Sequence, residues 1–134
     1  MNWKLVLQLS TFGLVMGLAT VFFIPPTIES GVRVAIFLAS AVLIAKKCPS
    51  KRFRHGLFVG IANSVWITGA HVLFFDSYIA SHPREAEMMK SSPMDPKLLL
   101  IFTGPVVGVV SGILIGLLAR RAGRMFRKAM ASAI

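Results

Sequence analysis

From Leu98 to Ala119 the chain reads LLLIFTGPVVGVVSGILIGLLA, with no charged residue. A run of about 20 apolar residues is what an α-helix needs to cross the ~30 Å hydrocarbon layer of a bilayer. Three more apolar segments precede it: Leu5–Ile24, Val32–Ala45 and Gly56–Tyr78. The first exceeds the ~7–15 residues of a signal-peptide core, and Pro25-Pro26 stands where a small-residue cleavage site would be, so it reads as a retained span. The second reaches spanning length once extended back to Ile28, with Glu29 and Arg33 at the interface. In lipid every backbone N–H and C=O must be paired within the chain, which makes each segment a helix. The expected fold class is all-α, an integral membrane bundle of four transmembrane helices forming one domain over residues 1–134. The spans are expected over about 4–25, 28–46, 55–78 and 97–120, followed by a basic tail over 120–134.

Composition agrees. Charged residues make up 15% of the chain and mean hydropathy is +0.73; soluble domains carry about 25% charged residues. The net charge of +10 does not point to nucleic acid, because the cations sit at the ends of apolar segments. Lys4, Lys46, Lys47, Lys51, Arg52, Arg54, Arg120, Arg121, Arg124, Arg127 and Lys128 fall on one side of the proposed membrane, and only Arg33, Arg84, Lys90 and Lys97 on the other. The positive-inside rule then places both termini in the cytoplasm. All the acids, Glu29, Asp76, Glu85, Glu87 and Asp95, lie on the opposite side. Trp3 is expected at the inner interface, Phe22, Phe23 and Tyr78 near the outer one, and Trp66 inside the bundle or against lipid.

Gly104, Gly108, Gly112 and Gly116 recur every fourth residue in the last span. Each costs a helix about 1 kcal/mol against alanine, so the repeat needs a reason. Apolar side chains gain little by hiding from lipid, and membrane helices associate where small residues let their backbones approach. A second row, Gly56, Gly60, Ser64 and Thr68, lies in the third span; Gly13 and Gly17 mark the first, and Ala35 and Ala39 the second. Spans three and four run antiparallel, and their small-xxx-small rows are natural partners. A homo-oligomer interface and the lining of a substrate path are the other readings of the row. Pro105 removes the hydrogen bond to the carbonyl of Ile101, giving a kink or a hinge.

Polar groups inside the spans are few, and such groups are functional candidates. Ser64, His71 and Tyr78 are seven apart on one stripe, with Asn63 at its margin. Thr20 and Thr103 fall at a similar depth, below Glu29, Arg33 and Asp76. Thr20, Arg33, Asn63, Ser64, His71, Asp76 and Thr103 therefore form a candidate polar pocket opening outward. His71 alternatively bonds a neighbouring span's hydroxyl or carbonyl, and Glu29 and Arg33 pair at i, i+4. Pro83 is expected to start a short helix in the loop Ser81–Lys97, which Ser-Ser-Pro and Asp-Pro then end.

Cys48 is the only cysteine, so no intramolecular disulfide or CxxC motif exists. It reads as a reduced thiol, with a low-pKa thiol beside lysines as the alternative. His71, His82, Met88, Met89 and Met94 could suggest soft-metal binding, and His71 a haem ligand in a dimer, but no recognised spacing supports either, and no metal or cofactor is expected. No catalytic motif is present and no carboxylate lies near the midplane, so no enzymatic activity is expected. Arg120, Arg121, Arg124, Arg127 and Lys128 continue the last span as a basic helix suited to anionic lipid headgroups on the cytoplasmic side.

The order FRHGLFVGIANSVWITGAHVLFFD, then PREAEMM, then a fourth span closing on ARR, resembles a family of small uncharacterised bacterial four-span membrane proteins. Phe53 and Gly56 match the F-x-x-G that opens the third span in that family. The resemblance implies a bacterial cytoplasmic membrane and no activity or site. The leading expectation is a scaffold or accessory protein that works through helix–helix association, with a homo-oligomer or a larger membrane protein as partner. The alternative is a small oligomeric transporter or channel using the pocket near His71.

Overall fold

A computed structural model describes every residue from Met1 to Ile134 as an all-helical bundle. The elements are α1 (Trp3–Phe22), α2 (Pro26–Lys47), α3 (Arg52–Leu73), α4 (Phe75–Ser81), α5 (Pro83–Lys90) and α6 (Pro96–Ser132). Four of them, α1, α2, α3 and α6, are long and apolar enough to cross a membrane. They alternate in direction, so both termini lie at one end, called here the terminal end; α4 and α5 lie at the far end.

Local sequence sets most boundaries. Asn2 caps α1 by accepting the Leu5 N–H at 3.0 Å. Pro26 and Pro83 occupy first turns, where a missing N–H costs nothing. Asp95 caps α6 through Oδ1, accepting from the N–H groups of Lys97 and Leu98. At 37 residues α6 is about 55 Å long, well beyond the ~30 Å of a hydrocarbon layer. It runs through Pro105 and carries the basic tail as its own continuation.

One boundary departs from expectation. The third span was expected to reach Tyr78, but α3 ends at Leu73 and the chain turns at Phe74 (φ −109°, ψ 41°) into the separate short helix α4. No glycine or proline marks the break. The turn leaves Asp76 exposed and carries Tyr78 over the end of α3, so Asp76 is not part of the pocket expected from its sequence neighbours.

The two small-residue rows meet. A Cβ on Gly56 would strike the backbone of Gly116, and one on Gly60 the backbone of Gly112; Gly108 lies against the Ser64 side chain and Gly104 against Thr68. The pairing is antiparallel and in register over four helical steps, so α3 and α6 touch backbone to backbone. Gly13 and Gly17 bring α1 equally close to α3, at Asn63 and at Ile67 and Ala70. Ala35 and Ala39 of α2 instead face outward, and Gly31 on the same row has nothing within 4 Å.

The hydrophobic core is uneven. At the terminal end Leu5, Val6, Leu9, Ala41, Ile44, Cys48, Val59, Ile115 and Ala119 form one buried cluster drawn from all four long helices. At the far end a smaller cluster of Val21, Tyr78 and Met89 contains nothing from α2. The bundle is therefore packed tight at one end, and at the other α2 depends on polar ties.

Candidate functional site

A cavity of about 210 Å³ occupies the space left at the loosely packed end. Its walls come from α1 (Gly13, Met16), α2 (Glu29, Arg33, Phe37), α3 (Asn63, Ser64, Thr68, His71) and α6 (Thr103, Gly104, Ser111), with Tyr78 of α4 at its far end. It begins beside the glycine contacts at Gly60 and extends to Glu29 and Tyr78. The missing side chains at Gly13, Gly60 and Gly104 bring helices together, and the three glycines also border this space.

Of the seven residues expected in a pocket, Arg33, Asn63, Ser64, His71 and Thr103 line this cavity. Thr20 does not line it, but lies 1% exposed behind His71, its Oγ1 2.9 Å from the imidazole Nε2. The same hydroxyl donates to the Gly17 carbonyl at 3.0 Å, so it accepts from an Nε2–H and fixes that tautomer of His71. The Tyr78 ring stacks on the imidazole with centroids 4.0 Å apart. Asn63 Oδ1 accepts the Gly13 N–H at 3.0 Å, tying α1 to α3 beside the cavity. Ser64 and Thr103 donate back to carbonyls of their own helices, leaving oxygen lone pairs at the wall.

One residue that sequence spacing did not indicate completes the site. His82, between α4 and α5, is 1% exposed and lies on the other side of the Tyr78 ring, with centroids 4.4 Å apart. Its Nε2 donates to Glu29 Oε2 at 3.2 Å, and its Nδ1 lies 3.0 Å from the Tyr78 carbonyl and 2.9 Å from the Ser81 hydroxyl. Glu29 in turn pairs with Arg33. A continuous line thus runs Thr20, His71, Tyr78, His82, Glu29, Arg33, joining α1, α3, α4 and α2 around the mouth. Arg33 Nε is buried and has no partner. A buried, unbonded guanidinium N–H beside a cavity is a donor available to a ligand. Nothing in the sequence spacing links His82 to Glu29, 53 residues away.

At the terminal end the N–H of Asn2 donates to His55 Nε2 at 2.9 Å, and His55 Nδ1–H donates to the Lys51 carbonyl at 2.9 Å. This buried imidazole fastens the starts of α1 and α3. Trp3 is exposed and packs edge-on against Phe58. Trp66 faces outward, its indole N–H reaching Ser10 Oγ at 3.3 Å. Among the tail residues, Arg120, Arg124 and Arg127 line a cleft with the start of α3, Arg121 borders a second cleft with Leu117, and Lys128 is exposed.

Cys48 follows α2 and is buried at 3% exposure. Burial pushes its thiol up, against the smaller opposing pull of Arg52 and the N-terminal charge. Thiolate is the nucleophile, so the raised value disfavours the low-pKa reading. Cys48 is expected to resist N-ethylmaleimide at pH 7 in the folded protein. A cysteine at exposed Ser50 should react at least about 100-fold faster, as read by mass spectrometry over time. Equal rates would mean that the α2 end opens freely.

Comparison with known proteins finds no matching protein family, curated protein or solved structure.

Proposed function

We propose that the protein is a multi-pass membrane protein that binds a small solute in the cavity between its four spans, as a small transporter or channel. Membrane placement is supported by the four apolar helices and by the broad exposure of their Leu, Val, Ile and Phe side chains, a surface that water would not tolerate. The positive-inside rule turns the terminal end, with its eleven named cations, to the cytoplasm. The resemblance noted above supports a bacterial inner membrane as the location within this reading.

The observation that carries the functional reading is the cavity itself. It is walled by all four spans and polar on several sides, and the closely packed cluster holding the fully buried Ile44 and Ile115 lies toward the terminal end. An apolar cavity of ~150 Å³ accepts benzene, so this volume suits a solute of roughly ten non-hydrogen atoms. The hydroxyls, His71 and the free Nε–H of Arg33 would hold its polar end, and Phe37 and Met16 its apolar body. The scaffold reading has less support, because the glycine rows of α1, α3 and α6 are spent on packing within the chain.

Thiol labelling tests this reading. In a Cys48→Ala background, Ser111→Cys and Thr103→Cys should be modified from the outer side by the impermeant reagent MTSET. Ile115→Cys should not. Ser50→Cys should react only from the cytoplasmic side. Native mass spectrometry of protein released in its own lipids should find a bound small molecule that Ser111→Trp expels. Failure of Ser111→Cys to react from outside, together with no bound mass, would reject the reading and return the scaffold to first place.

A further inference from the structure

We infer that the terminal end carries a built site for the phosphate group of an anionic phospholipid, formed by Arg52, Arg120, Arg124 and Arg127. These four arginines line one cleft of about 250 Å³ where the start of α3 meets the extension of α6. The three from α6 follow i, i+4, i+7 and share a face. Gly123 sits among them, and a Cβ there would collide with the Arg52 guanidinium at 2.6 Å. The glycine is thus the seat on which Arg52 crosses from α3 to join the other three.

The charge here has no counterpart in the protein. No carboxylate lines the cleft, and every salt bridge lies around Glu29, at the far end. Arg52 Nε is buried without an acceptor. Converging guanidinium groups repel one another, and a buried N–H left unbonded is destabilising, so the arrangement calls for an external anion. Guanidinium forks match phosphate oxygens two at a time. The first turn of α3 borders the same cleft with no side chain capping it, and the positive end of a helix favours a nearby anion.

The surroundings select a lipid phosphate over a soluble one. Leu117, half exposed, lies one turn above Arg120 and Arg121 in an adjoining cleft, and Leu114 and Ile113 continue the apolar surface upward. An acyl chain has a path along that face while its headgroup rests among the arginines, as basic pockets between helices bind lipid headgroups. The inference rests on the membrane placement proposed above and not on the solute cavity at the other end.

The full chain, delipidated in detergent, would be titrated with dioleoylphosphatidylglycerol in mixed micelles while thermal unfolding is followed by circular dichroism. The unfolding temperature should rise with that lipid and not with dioleoylphosphatidylcholine. Arg52→Gln should raise the half-saturating lipid concentration at least about fivefold, as befits loss of a charge-assisted bidentate contact. Arg124→Gln, at an exposed position that carries no packing, should do the same and keeps the test valid if Arg52→Gln unfolds. Lys47→Gln, exposed at the same end, removes a like charge outside the cleft and should leave half-saturation within twofold. Equal losses for Lys47→Gln and Arg124→Gln would mean diffuse attraction and overturn the site. Equal stabilisation by millimolar inorganic phosphate without lipid would assign the cleft to a soluble anion and overturn the lipid. No response to either would overturn both.

Discussion

Gly60→Leu should destroy the packing of α3 on α6, whereas Gly31→Ala and Gly69→Ala should leave it intact or slightly more stable. Any Cβ at residue 60 would fall inside the backbone of Gly112, and the Gly108 carbonyl lies only 2.8 Å from it. Backbone cannot rotate away as a side chain can. The helices must separate, and separation at this step also parts Gly56 from Gly116, because the four contacts share one rigid register. Overpacking a core costs about 1–3 kcal/mol and occasionally more; here the top of that range or beyond is expected, since no rotamer relieves the clash. Gly31 and Gly69 have nothing within 4 Å, so alanine there meets open space and gains up to ~1 kcal/mol of helix propensity. Thermal unfolding in mild detergent, followed by circular dichroism, separates the two cases. A Gly60→Leu protein that melts with the wild type would mean that α3 and α6 do not touch at this point.

The sequence marks the rows of α3 and α6 as partners without fixing their register, and the reason is physical. Small residues four apart define a groove on their own helix, and two such grooves on antiparallel neighbours have few ways to meet. The same logic does not reach α2. Ala35 and Ala39 also mark a groove, but a groove does not name its partner, and these residues face outward. The break at Phe74 was illegible for a different reason. Between Gly69 and Pro83 the chain holds neither glycine nor proline, and an uninterrupted apolar helix is the simplest reading. What ends α3 is tertiary: Tyr78 must come back over His71, and Val21, Tyr78 and Met89 must pack together. Spacing along one helix placed Asp76 near the pocket and left out His82; the turn at Phe74 reverses both, because it rotates α4 relative to α3 and brings the residue that follows α4 inward. Ser64, Asn63 and His71 line the cavity, precede the break and stay on one continuous helix.

Removal of His82 should loosen α2 at the far end and open the cavity mouth. The buried cluster at that end includes nothing from α2, and the bond from His82 Nε2 to Glu29 is the polar tie between α2 and the α4–α5 segment. His82→Leu keeps much of the side-chain volume but cannot donate to the carboxylate. Glu29 keeps Arg33 and loses its second partner while only partly exposed, and loss of a hydrogen bond to a charged group costs about 1.5–3 kcal/mol. Hydrogen exchange of the amides in the first turns of α2 should accelerate by about 10- to 100-fold, while the amides around Ile44 and Cys48, anchored in the other cluster, keep their protection. A double-mutant cycle of His82→Leu with Glu29→Gln should then show a coupling above about 1 kcal/mol, because each change removes the same contact. If the two changes add independently and exchange in α2 is unaltered, α2 is held at that end by something other than the His82–Glu29 bond. The cavity would then have a fixed mouth, and any opening of it would need a different moving part.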